Sequence, residues 1–296
     1  MNFFKKWYTY QKERFPVLTY GLYCFTIVFG TFCYSNCRGG ACIYGKPSEF
    51  FRGSYRLLIP MFIVGFLQFL MVRIIDEFKD YEDDCKYRPY RPVPRGLITL
   101  KELKVLFNIC AILQIVITYI VNPPSLILLA LVWLFFFVMT KGFFIKKILD
   151  RHILLEVLLD EFMLPVTVVY ISSFVIDITT TKILPFLAMV YVISWLIEIS
   201  RKVRCKEKEE EGVKTYTAVF GIPKATFLVW LLETILLGII TYIVGFRLYI
   251  VLFYALLTIV DILFVSKKTY KLSKCVEYLA DFYAMTLLVS LVLLLL

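Results

Sequence analysis

Histidine is almost missing, because His152 is the single one in 296 residues. A histidine-based catalytic triad is thereby excluded, and packing at an interface is the expected role of the one that remains. Charge is also scarce, at 19% of residues against roughly 25% in a soluble domain. The N-terminal stretch lacks a small-residue cleavage site behind a short apolar core, so no removable signal peptide is expected. Its Phe3, Phe4, Trp7 and Tyr8 among lysines suit a membrane interface instead. Of the eight cysteines only Cys33, Cys37 and Cys42 cluster, and no histidine or acidic group close by makes them a metal site; a structural disulfide or free thiols is the expectation.

What the chain has in excess is apolar surface. Hydrophobic residues make up 60% of it, where a soluble domain carries roughly 45–50%, and the excess comes in blocks. The blocks predict about nine spans, at 17–36, 56–75, 103–121, 125–140, 153–176, 183–199, 226–245, 247–265 and 277–296. Each is near the roughly 20 residues that cross a bilayer as helix. Lipid leaves unpaired backbone no alternative at this length, so the expected fold is an all-α polytopic membrane bundle.

Basic residues in short loops stay cytoplasmic, which sets the expected orientation. With the N-terminus inside, 27 of the 33 Lys and Arg residues fall in inside segments. The net charge of +10 is then mostly topology and calls for no nucleic-acid partner. The expected location is the plasma membrane, or the inner membrane in a bacterium, with the chemistry in two polar cytoplasmic segments at 73–104 and 198–224.

The first segment is rich in acid. If the second span continues as helix past the membrane edge, Asp76, Asp80, Asp83 and Asp84 fall within an arc of roughly 100°, joined by Arg73. Four carboxylates on one face repel one another unless a cation sits among them, and hard oxygen ligands with water in the remaining positions suit Mg²⁺. A merely solvated acidic helix end would mix in more lysines. Downstream, Arg88, Arg91 and Arg95 alternate with Pro89, Pro92 and Pro94, which break the helix and hold an extended basic turn. Guanidinium groups held in this way suit a diphosphate lying against the metal, or else serve only topology.

These residues resemble the first aspartate-rich motif of the UbiA superfamily of intramembrane prenyltransferases, an Asn-Asp-x-x-Asp-x-x-x-Asp pattern followed by Arg-Pro and a small-residue turn. Asp76, Glu77, Asp80 and Asp84 occupy those places, with Asp76 where the family usually has Asn and Glu77 where it has Asp; Arg91, Pro92 and Gly96 follow. The resemblance implies one nine-helix domain over 1–296, with motifs at the cytoplasmic ends of the second and sixth spans. The second motif departs from the family. Gly212, Thr215 and Gly221 are kept, but Glu198-Ile-Ser-Arg201-Lys202 stands where an aspartate pair is usual. Glu198 either ligates a metal or pairs with Lys202 four residues on. In the first case Arg201 and Lys202 would neutralise phosphate directly in place of a second ion. The glutamates at 207, 209, 210 and 211 form a run that is solvated or reaches back to a metal.

The resemblance therefore implies Mg²⁺-dependent transfer of an isoprenoid group from a prenyl diphosphate to a lipid or aromatic acceptor among membrane lipids. The implied metal ligands are Asp76, Glu77, Asp80, Asp84 and Glu198. Arg73, Lys79, Arg88, Arg91, Arg95, Arg201 and Lys202 would neutralise the leaving group. Two other readings stay open: transfer of a sugar phosphate such as phosphoribosyl to polyprenyl phosphate, and a non-enzymatic binder or carrier of lipid phosphates. Acids within the spans, Glu156, Asp160, Glu161, Glu233, Asp261, Glu277 and Asp281, point to an internal cavity without marking any one as catalytic.

Overall fold

A computed structural model describes residues 2–38, 55–149, 151–175, 183–210 and 213–295. The expected Cys42, the side chain of Cys37, Gly212 and Glu211 lie outside the described residues. The helices are α1 (Phe3–Arg14), α2 (Val17–Arg38), α3 (Tyr55–Lys79), α4 (Tyr81–Tyr87), α5 (Leu100–Val121), α6 (Leu126–Thr140), α7 (Ile153–Asp160), α8 (Met163–Ser172), α9 (Leu184–Arg201), α10 (Tyr216–Phe220), α11 (Ile222–Val244), α12 (Leu248–Lys267) and α13 (Tyr270–Ser290). No strand occurs among the described residues. Eight helical stretches among the described residues are long and apolar enough to cross a membrane.

One of these helices, α5, carries polar groups inside and apolar ones outside. On α5 the buried stripe is Leu103, Cys110, Gln114 and Thr118, whereas Ile109, Ile112, Leu113, Val116 and Ile120 are exposed. A water-soluble helix would turn the stripe round. Inside, polar groups join helices as expected where water is absent. The Gln114 amide donates to the Val64 carbonyl at 3.1 Å, Thr118 meets the Tyr170 hydroxyl at 2.5 Å, and the Asn122 amide donates to the Ser173 carbonyl at 2.6 Å.

The expected fifth span at 153–176 is two short helices, α7 and α8, with a break at Glu161 and Phe162. Its cause is Pro165, which has no N–H for the Glu161 carbonyl and whose ring crowds it. The freed carbonyls are taken up by α9. Ser194 donates to Glu161 O at 3.2 Å and Tyr191 donates to Leu158 O at 2.6 Å. Other helices run beyond the expected spans: α3 continues past 75 to Lys79, α11 starts at Ile222 instead of 226, and α13 starts at Tyr270 instead of 277. Neighbour contacts close the spans into a ring that runs α2, α3, α5, α6, α8, α9, α11, α12, α13 and back to α2.

The ring is tight where α2, α3 and α8 meet at Gly65. A Cβ there would stand 3.1 Å from Cys24 Sγ and 3.2 Å from Ile171 Cδ1. Gly65→Val should therefore cost about 1–3 kcal/mol through overpacking. Gly238→Val should be near neutral, since nothing lies within 4 Å of that position. Thermal unfolding in detergent compares the two, and equal losses would contradict the crossing at Gly65.

A charged chamber at the ends of α3 and α9

The acidic motif is divided between two tasks. Helix α3 ends at Lys79, the chain bends at Asp80, and α4 resumes the helical path, with Asp80 N donating to Asp76 O and Asp84 N to Asp80 O. Across this bend Glu77 and Asp84 are turned into the protein, 2% and 1% exposed. Arg14 from the last turn of α1 reaches Glu77 at 2.5 Å and Asp84 at 3.9 Å. Arg73 also holds Glu77, at 3.1 Å, while Arg88 and Arg91 hold Asp84 at 3.0 and 2.6 Å. Arg95 is paired with Glu13 at 2.9 Å and donates to the Tyr90 carbonyl at 2.8 Å. A ligand role for Glu77 or Asp84 would thus require these pairs to open, and the three loop arginines shape the turn. A small core of Tyr10, Ile74, Val93, Ile98 and Leu103 closes α1 over it.

Asp76 and Asp80 are left facing a chamber. Asp76 lies 3.5 Å from Arg73, and Lys79, Arg201 and Asp160 are near enough to act on its charge. Asp80 has no ion-pair partner among the described residues. Burial, with Asp76 and Asp84 beside it, raises its carboxyl above the ordinary range. From α9, Glu198 is gripped by Arg201 and by Lys202 at 2.6 Å, the arrangement that the four-residue spacing allowed. Two cations on one carboxylate leave a positive excess. The side chains of Asp76 and Arg201 stay 37% and 53% accessible although they sit deep among other protein groups. The charged ends of α3 and α9 thus border an open polar chamber.

The span acids that pointed to an internal cavity were not ranked by the sequence, and two of them reach this site. Asp160, at the break in the fifth span, pairs with Lys79 at 2.9 Å, and Glu161 beside it senses Glu198 and Arg201. Pro165, four residues beyond Glu161, was the available signal. Helix α1 was read as an interfacial segment, and nothing local in its sequence tells that Arg14 would cap the motif. The second loop is tied to the first where the Tyr90 hydroxyl donates to Glu210 at 3.3 Å. Arg204 also holds Glu210, at 3.1 Å, and Glu209 accepts from Thr215 and Thr217 at 2.6 Å each. Thr215 caps α10.

The model of the UbiA prenyltransferase family matches residues 39–288. The chain belongs to the UbiA prenyltransferase family. It is an integral membrane protein of that family's helical fold. One similar solved structure comes from work on digeranylgeranylglyceryl phosphate synthase in membranes, with 19% identity, 98% of this chain and 97% of that one covered, and a TM-score of 0.55. Another is the apo structure of a UbiA homologue from Aeropyrum pernix K1, with 15% identity, 88% and 97% covered, and a TM-score of 0.58. A search of curated proteins returned no match.

Two outcomes follow from this division of the carboxylates. Arg14→Met should lower stability by about 1.5–3 kcal/mol, the loss of charged hydrogen bonds with Arg73 still holding Glu77. Thermal unfolding would show it, and an unchanged midpoint would deny α1 its clamp. Asp80→Asn should do the opposite in ligand-free protein at neutral pH. A carboxyl whose proton is held more tightly in the folded chain adds stability below its ordinary range and loses it as pH rises through the raised one. The advantage of the variant should accordingly shrink as pH falls.

Proposed function

We propose that this chain moves an isoprenoid group from its diphosphate to a lipid or aromatic acceptor held in the membrane, in the chamber between α3 and α9. The observation that carries the reading is that Asp76, with Asp80 one turn beyond it, lies near enough to Arg201 for their charges to act on each other, while Lys202 shares Glu198 with Arg201. The concentration of basic residues at this end supports a cytoplasmic site.

The donor set tests the expected metal. Among the described residues no group of three His, Cys, Asp or Glu converges on one point. Mg²⁺ asks for less, since one or two carboxylates with substrate phosphates and waters complete its octahedron. Asp76 and Asp80 fit one such ion, and Glu77, Asp84 and Glu198 are held by arginine or lysine. When bound, the ion would offset charge on the diphosphate.

The remaining work falls to side chains. Breaking the allylic C–O bond leaves positive charge on carbon and negative charge on the departing diphosphate, and the acceptor's nucleophilic atom then bonds to that carbon as its proton leaves. Arg201 and Lys202 are placed to take the new negative charge, with Arg73 and Lys79 beside Asp76. Arg88, Arg91 and Arg95 act as positioning residues through the loop. A sugar diphosphate donor would leave the same diphosphate, and a carrier would bind it without turnover.

Purified protein in liposomes, given labelled prenyl and sugar diphosphates with and without EDTA, separates these readings when products are weighed by mass spectrometry. Prenylated product that EDTA abolishes is expected, falling roughly 10²–10³-fold in Asp80→Asn. Binding without turnover for every donor would leave only the carrier. The doubly substituted Arg201→Met, Lys202→Met protein should lose turnover by far more than the fall in its unfolding midpoint from the unpaired Glu198 explains. Near-full turnover in that variant would refute direct phosphate contact.

A further inference from the structure

Two carboxylates lie inside the membrane bundle away from the chamber. Glu233 on α11 and Asp261 on α12 are 1% and 5% exposed and face each other between their helices. Measured along the helices, they sit about 16 Å and about 9 Å from the ends at Ile222 and Lys267. Neither oxygen of Glu233 has a hydrogen-bond partner, nor has Asp261 Oδ2. No lysine or arginine among the described residues acts on either group. This sets them apart from every acid of the chamber that is paired with a base.

An ionised carboxylate only accepts hydrogen bonds, so two of them face to face repel and leave their lone pairs unmet. In a bilayer interior with no cation the doubly charged state is the one the protein cannot hold. We propose that Glu233 and Asp261 form a proton-binding site, carrying at least one proton between them at neutral pH, so that the O–H of one donates to the other and joins α11 to α12. The second observation is Tyr283 on α13. Its side chain is 0% exposed, its hydroxyl has no partner, and it lies close enough to Glu233 to feel its charge. That hydroxyl is a buried donor without a partner, within electrostatic reach of the pair. Tyr254, the other titratable group nearby, is already engaged with Thr234 at 2.8 Å. The proposal does not depend on prenyl transfer.

Infrared difference spectra of the reconstituted protein at neutral pH, wild type minus Glu233→Gln and wild type minus the Glu233→Gln, Asp261→Asn double variant, test it directly. A protonated-carboxyl C=O stretch should be present in wild type and gone from the double variant. Glu233→Gln keeps a donor for Asp261 and should leave the unfolding midpoint nearly unchanged, whereas Glu233→Ala should lower it by roughly 5 °C. Absence of the protonated band would overturn the proposal. So would a midpoint that climbs with added Na⁺ or K⁺ in wild type but not in Asp261→Asn, which would identify a metal cation as the occupant. Since Glu233→Gln is isosteric, the spectral result stands even if the alanine variant does not fold.

Discussion

Hydrocarbon offers no partner to a peptide group or to a charge, and the arrangement of this chain follows from that constraint. It forces the spans into helix, turns Gln114 and Thr118 inward while isoleucines face lipid, and obliges α9 to supply Ser194 and Tyr191 to the carbonyls freed by Pro165. The break is what allows Asp160 and Glu161 to meet Lys79 and Arg201. Irregular backbone at membrane depth is tolerated where protein or a wet cavity surrounds it, and here it surrounds the chamber.

The same constraint explains why neighbouring acids of one motif behave differently. Glu77 and Asp84 are buried, so each is matched by guanidinium, and Arg14 spans both. Asp76 and Asp80 open onto accessible space, where water or a ligand cation can do the matching. An unmatched Asp80 costs stability in the empty protein, as groups poised for binding commonly do. The altered second motif fits this division. With Glu198 held by Arg201 and Lys202, the end of α9 brings positive charge within reach of Asp76 near the end of α3.

Much of this was legible in the chain. Apolar blocks of span length and the spacing Asp76, Glu77, Asp80 and Asp84 followed by Arg91-Pro92 pointed to the membrane bundle and to the family whose model spans residues 39–288. The i, i+4 distance allowed the Glu198–Lys202 pair. Periodicity, however, places four aspartates on one face without saying what lies opposite that face. Asp84 meets Arg88 at the i, i+4 spacing but also Arg91 seven residues along and Arg14 from α1, so its role as a structural anchor rests on neighbours that spacing alone does not supply.

Local chemistry, then, determined the long apolar helices and the identity of the acidic motif, because a bilayer reads length and polarity segment by segment. Only the tertiary structure decided which carboxylates are sealed by arginine and which remain open, and that Glu233 and Asp261, 28 residues apart, face each other without a base. Those outcomes depend on which helices the ring makes adjacent. Adjacency is set by packing over the whole chain, and no window of sequence contains it.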